Sequence, residues 1–188
     1  MTPNRRYLIV GLVLTALLAF MIARKQYTVA LGTPVQLELV RPVDPRSLFR
    51  GDYVRLDFAV GTLNSYFTVG DPDAFERNDT VWVVLRRAEP HWLPVSYHQE
   101  KPELGPDEVV MRGTVTGFPF RRRGTSGPGL RVKYGLENFF VPEGTGLKWE
   151  AQLAGEEVEV EVAVDGAGNA AVRAIIIKGK EVYREGLF

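Results

Sequence analysis

The stretch EVEVEVAVDGAGNAAVRAIII, Glu157 to Ile177, decides the fold class. Its first eight residues alternate apolar and polar with period two, as a strand with one buried face requires. Asp165-Gly-Ala-Gly-Asn169 then supplies turn-forming residues, and Ala170–Ile177 returns as a second apolar-rich strand. A five-residue turn predicts an antiparallel hairpin pairing Val164 with Ala170 and Glu161 with Arg173. In that register Val158, Val160 and Val162 face Ile176, Ala174 and Val172 on one side. Glu161 and Arg173 meet on the other, a cross-strand pair that contributes about 0.2–1 kcal/mol.

Working outward, the period-two signal runs from Tyr27 onward. Val35–Val40 and Tyr53–Val60 alternate, and Thr80–Leu85 is a denser apolar run, as in a strand covered on both faces. Trp92–Tyr97, Glu108–Val115, Leu130–Tyr134 and Phe139–Val141 complete the candidates. Nineteen glycines and twelve prolines punctuate them. The pattern predicts a mainly β domain, an antiparallel sandwich or barrel-like sheet arrangement. One short helix is expected at Leu147–Ala154, stopped by Gly155. Arg121–Gly129 reads as a hairpin tip between Glu108–Val115 and Leu130–Tyr134, with its three arginines in solvent.

The chain opens differently. Tyr7–Ala23 is seventeen residues without a charge, preceded by Arg5 and Arg6 and followed by Arg24 and Lys25. A helix of that length reaches about 26 Å, the short end of what crosses a bilayer core of roughly 30 Å. Signal cleavage wants small residues at two spaced positions. Ala23 has Met21 two places before it and Ala19 has Leu17, so an uncleaved anchor is the expectation. The division is therefore 1–25, a membrane anchor, and 26–188, a β-rich domain expected outside the cytoplasm. The positive-inside bias is small, with two basic residues on each side of the apolar run.

Several functions are excluded or disfavoured. There is no cysteine, so disulfides and thiolate metal sites are absent. The net charge of zero hides an asymmetry: beyond residue 25 there are 19 Lys and Arg against 23 Asp and Glu. A mildly acidic body lacks the positive field that nonspecific nucleic-acid binding needs. His91 and His98 are the only histidines and show no metal-ligand spacing, so no metal site and no cofactor are expected.

The densest polar motif is RPVDPRSLFRGDYVRLDF, Arg41–Phe58. Pro42 and Pro45 extend the residues before them, and Gly51-Asp52 is turn chemistry. Beyond the turn, Val54, Leu56 and Phe58 point one way and Tyr53, Arg55 and Asp57 the other. Gly51, Asp52, Tyr53 and Leu56 resemble the signature of the GDYXXLXY family of bacterial membrane-anchored proteins, with Phe58 in place of the final tyrosine. Val43–Arg50 and Tyr134–Gly144 also resemble that family's pattern. The resemblance implies a membrane setting and a multi-spanning membrane partner, and it implies no particular reaction. On this reading the binding surface is Asp44–Arg55 together with Tyr134–Glu143. Its candidate contacts are Arg46, Arg50, Asp52, Tyr53, Arg55, Asp57 and Glu137, with Glu137 expected to pair with Arg50 or Arg55.

Two other classes compete with a noncatalytic accessory or assembly subunit. The loop before Gly51 is similar to the nucleophile region of type I signal peptidases, with Ser47 as nucleophile and Lys133 as base. Ser47 lies only four residues before Gly51, closer than that family's serine, and a lysine base must be buried to lose its proton. A small-ligand-binding domain would instead need Trp82, Trp92 and Phe140 to converge on a pocket.

Overall fold

A computed structural model describes residues 3–40, 53–118, 129–140 and 158–186. The helix expected at Leu147–Ala154 and the arginines Arg121, Arg122 and Arg123 lie outside these residues. The chain begins with helix α1, Pro3–Leu31. The strands follow in order: β1 (Thr33–Val40), β2 (Tyr53–Arg55), β3 (Asp57–Phe58), β4 (Thr62–Asn64), β5 (Thr80–Arg86) and β6 (Leu93–His98). Next come β7 (Glu108–Gly117), β8 (Gly129–Lys133), β9 (Asn138–Phe140), β10 (Val158–Val164), β11 (Ala170–Ile177) and β12 (Lys180–Arg184). Among the described residues they form one sheet in the order β12-β11-β10-β1-β3, a second in the order β4-β8-β7-β5-β6, and the pair β2-β9.

The two large sheets share one core. Val35, Leu37, Val160, Val162 and Ile175 enter it from the first, and Val81, Val83, Leu85, Met111, Val115 and Leu130 from the second. Alternation within each strand supplies the inward face, so the mainly antiparallel β architecture follows from the period-two pattern.

The hairpin of β10 and β11 has the expected turn and the expected first pairs, Val164–Ala170, Ala163–Ala171 and Val162–Val172. Beyond them the register shifts, so Glu161 pairs with Ala174 and Val160 with Ile175. Arg173 is the extra residue of a β-bulge. The shift places Ile175, rather than the expected and smaller Ala174, opposite Val160 in the core, which buries more apolar surface there. Arg173 Nε still lies 3.4 Å from Glu161 Oε1.

Tyr53–Val60 is not one strand. β2 pairs with β9 and β3 with β1, and between them the Leu56 N–H donates to the Glu137 carbonyl at 2.8 Å. A 3-10 turn at Ala59–Gly61 ends the run. The segment is thus a corner that passes from one partner to the next, while its alternation persists: Leu56 and Phe58 are buried, and Arg55 and Asp57 exposed.

α1 also departs from expectation, continuing unbroken past Lys25 to Leu31, where period two had been expected from Tyr27. Residues 7–25 expose apolar side chains on every face, and Tyr7–Leu31 is long and apolar enough to cross a membrane, with mean hydropathy 2.2. The last turns instead pack on the domain. Thr28 and Val29 are buried, and Gly32 lets the chain pass β10 where a Cβ would sit 2.9 Å from the Val164 nitrogen.

One carboxylate organises this joint. Asp165 accepts from Thr28 Oγ1 at 2.9 Å, from the Ala167 N–H at 2.9 Å, from the Asn169 N–H at 2.8 Å and from Asn169 Nδ2. Partial burial alone would raise its pKa, but the bonds from Asn169, Thr28 and Ala167 outweigh it and hold the carboxyl below its ordinary value. The same turn touches the second sheet. The Arg112 N–H donates to the Gly168 carbonyl at 2.8 Å, and Lys101 Nζ to that of Gly166 at 2.7 Å. Lys25 closes the joint from outside through an ion pair with Glu185.

Candidate functional site

The site is built by two outward strand faces. In β8 and the residue after it, Leu130, Val132 and Tyr134 are buried while Arg131 and Lys133 are exposed. Across from them Arg55 and Asp57 flank the buried Leu56. These faces border a cleft of about 210 Å³ whose polar walls are Arg55, Asp57, Thr116, Arg131, Lys133 and Glu137. Val132, Leu56 and Phe58 contribute its apolar surface.

Tyr134 fixes the floor. Its hydroxyl donates to the Val60 carbonyl at 2.8 Å, which ties β8 to the 3-10 turn after β3. Burial, reinforced by the Glu137 charge, pushes the phenol pKa well above the usual range, so this hydroxyl stays a neutral donor. Glu137 closes the turn between β8 and β9: its Oε1 accepts the Tyr134 N–H at 2.6 Å and its Oε2 the Gly135 N–H at 2.9 Å. The expected ion pair between Glu137 and Arg55 is not formed; each Glu137 carboxylate oxygen accepts a backbone amide of the turn instead. Arg50, its other expected partner, lies outside the described residues.

Arg55, Arg131 and Lys133 therefore stand around the cleft without an ion pair among the described residues. A carboxylate or phosphate entering here would meet cations that need not first break an existing salt bridge.

Of the residues singled out from sequence, Arg55, Asp57 and Glu137 come together at this cleft. Tyr53 lies on β2 opposite Phe140 of β9. Arg46, Ser47, Arg50 and Asp52 lie outside the described residues. Lys133 is exposed at the end of β8, without the burial that a lysine base requires. Trp82, Trp92 and Phe140 do not converge. Gly168 packs against the Trp82 ring, Trp92 lines a separate groove beside β1, and Phe140 is exposed. Among the described residues no group of three or more His, Asp or Glu could hold a metal. His91 instead lies 3.4 Å from Glu159, and His98 bonds Ser96 at 2.9 Å.

Sequence reasoning missed Thr116 and Arg131. Alternation in Leu-Arg-Val-Lys-Tyr, Leu130–Tyr134, already places Arg131 beside Lys133 on one face, so the signal for a basic strand face was present.

The fold and cleft together define a two-sheet antiparallel β domain borne on an apolar N-terminal helix, with Tyr53–Phe58 at a corner between sheets. Residues 14–175 match the GDYXXLXY protein family, and the chain belongs to that family. No curated protein and no solved structure matches it.

Proposed function

We propose that this protein is a membrane-tethered, noncatalytic accessory subunit that docks onto a multi-spanning membrane partner through the Arg55 cleft, with the β domain on the extracytoplasmic side. The observation that carries this reading is the set of three cations, Arg55, Arg131 and Lys133, with no ion pair among the described residues, around a cleft walled by the family's signature strand. The joint at Asp165 supports it, because a domain packed on its own helix presents that cleft in a fixed orientation to neighbours in the bilayer. An acidic loop of the partner fits the cleft by charge. Crosslinking in native membranes followed by detergent extraction tests the proposal. A multi-spanning protein should co-purify with the wild type, and Arg55→Ala should reduce its recovery severalfold while the melting temperature is unchanged. Recovery of the chain alone from wild-type membranes would defeat the reading.

A further inference from the structure

A second crevice, of about 330 Å³, lies between α1 and the start of β11. Phe20, Met21, Arg24 and Thr28 border it from the helix, and Asn169 and Ala171 from the domain. Phe20 and Thr28 are eight residues apart, about 12 Å along the axis, so the crevice runs along the helix and changes character as it goes. Phe20 and Met21 belong to the uncharged run that ends at Ala23, and Arg24 begins the charged end. Lys25 is held by Glu185, whereas Arg24 forms no ion pair among the described residues. Asn169 adds a polar edge on the opposite wall, with Arg112 Nη2 at 3.2 Å from its side-chain oxygen.

We infer that this crevice is a binding site for one phospholipid of net negative charge. The lipid's acyl chains lie beside Phe20 and Met21, and its phosphate meets Arg24. Three observations fix that occupant. The crevice is continuous with the apolar surface of α1, so its lower half is open to acyl chains rather than to water. Its polar end falls within one helical turn of the end of that surface, the depth of a headgroup phosphate. Its cation has no ion pair among the described residues and faces a pre-formed wall held by Asp165, so the site needs no rearrangement to accept an anion. The inference rests on α1 residing in a bilayer and is independent of the Arg55 cleft.

The test uses the full chain, floated with liposomes and then reconstituted in nanodiscs. Native mass spectrometry after detergent release counts the lipids retained. Phosphatidylglycerol should be retained over phosphatidylcholine by about fivefold, the effect of one basic side chain at an anionic surface. Arg24→Gln should remove that preference, as should Met21→Trp, which fills the crevice from the helix side without touching the core. Unchanged preference in both variants, or none in the wild type, overturns the site. So does effective competition by soluble glycerophosphate, which would assign the phosphate to a water-soluble ligand. A chain that fails to float with liposomes overturns the membrane reading as well, a result distinct from floating without lipid preference.

Discussion

Replacing Asp165 by alanine should loosen the joint between helix and domain. The change removes the acceptor shared by Thr28, Ala167 and Asn169. A hydrogen bond to a charged group contributes about 1.5–3 kcal/mol, but not every bond here is lost in full. The Ala167 N–H is exposed and water can replace its acceptor, and Thr28 Oγ1 already has the Arg24 carbonyl at 3.2 Å as a second acceptor. The part-buried Asn169 amides have no such substitute, so the expected loss is about 2–3 kcal/mol. For a chain of this size that corresponds to a melting temperature about 4–12 °C lower. Circular dichroism melts of the full chain in detergent micelles measure it. The pH dependence supplies a second check. The folded-state pKa of Asp165 lies below the ordinary 3.8, so its stabilisation is complete above that value and is lost as pH falls through the folded-state value. The gap between wild type and Asp165→Ala should therefore close in acid. A variant melting within about 2 °C of wild type at neutral pH, or a gap that persists undiminished in acid, refutes the role given to this carboxylate.

Three further outcomes are expected. Tyr134→Phe leaves the buried Val60 carbonyl without its donor and should cost about 1–2 kcal/mol in urea unfolding, with an unchanged m-value; no loss would contradict the bond. Gly168→Ala puts a Cβ at φ +77° and 2.8 Å from the Trp82 ring. It should destabilise by about 1–3 kcal/mol and change the tryptophan emission, and a neutral result would contradict the packing. In an alkaline titration followed by phenolate absorbance, Tyr97, Tyr134 and Tyr183 should ionise only above the ordinary phenol value. Tyr183 is pushed up to about 12 by burial and then by Glu185. Stability from these raised groups is present below the ordinary phenol value and is lost as pH rises through their folded-state values. Uniform ionisation near the ordinary value in a still-folded chain would refute it.

What could be read from the sequence followed from one-dimensional patterning. Alternation located β1, β7, β8 and the β10–β11 hairpin, each of which buries one face against the shared core, and a dense apolar run located β5. The bulge at Arg173 was hidden, since it depends on whether Ala174 or Ile175 fills the space opposite Val160. The division of Tyr53–Val60 was hidden for a related reason: hydrogen-bond partners change at Leu56 without a change in side-chain alternation. β12 escaped notice because Lys180, Glu181 and Arg184 dominate a mostly exposed edge strand. At the cleft, Arg55 and Asp57 were legible from the motif. The use of Glu137 by two backbone amides was not, because it is set by a turn conformation that charge complementarity does not reveal. The joint was hardest to foresee, since Asp165 and Thr28 are 137 residues apart and each has an adequate local explanation.

The passage from α1 into β1 is abrupt. Only Gly32 lies between Leu31 and Thr33, and the helix end is packed beside β10. With α1 embedded in lipid, the head has no slack line on which to wander. It would sweep a thin layer at constant height above the headgroups as the protein diffuses laterally. Encounters with a docking surface at that height become a search in two dimensions, with the loss of rotational freedom already incurred during folding. A contact too weak to hold freely diffusing proteins together can suffice under that confinement.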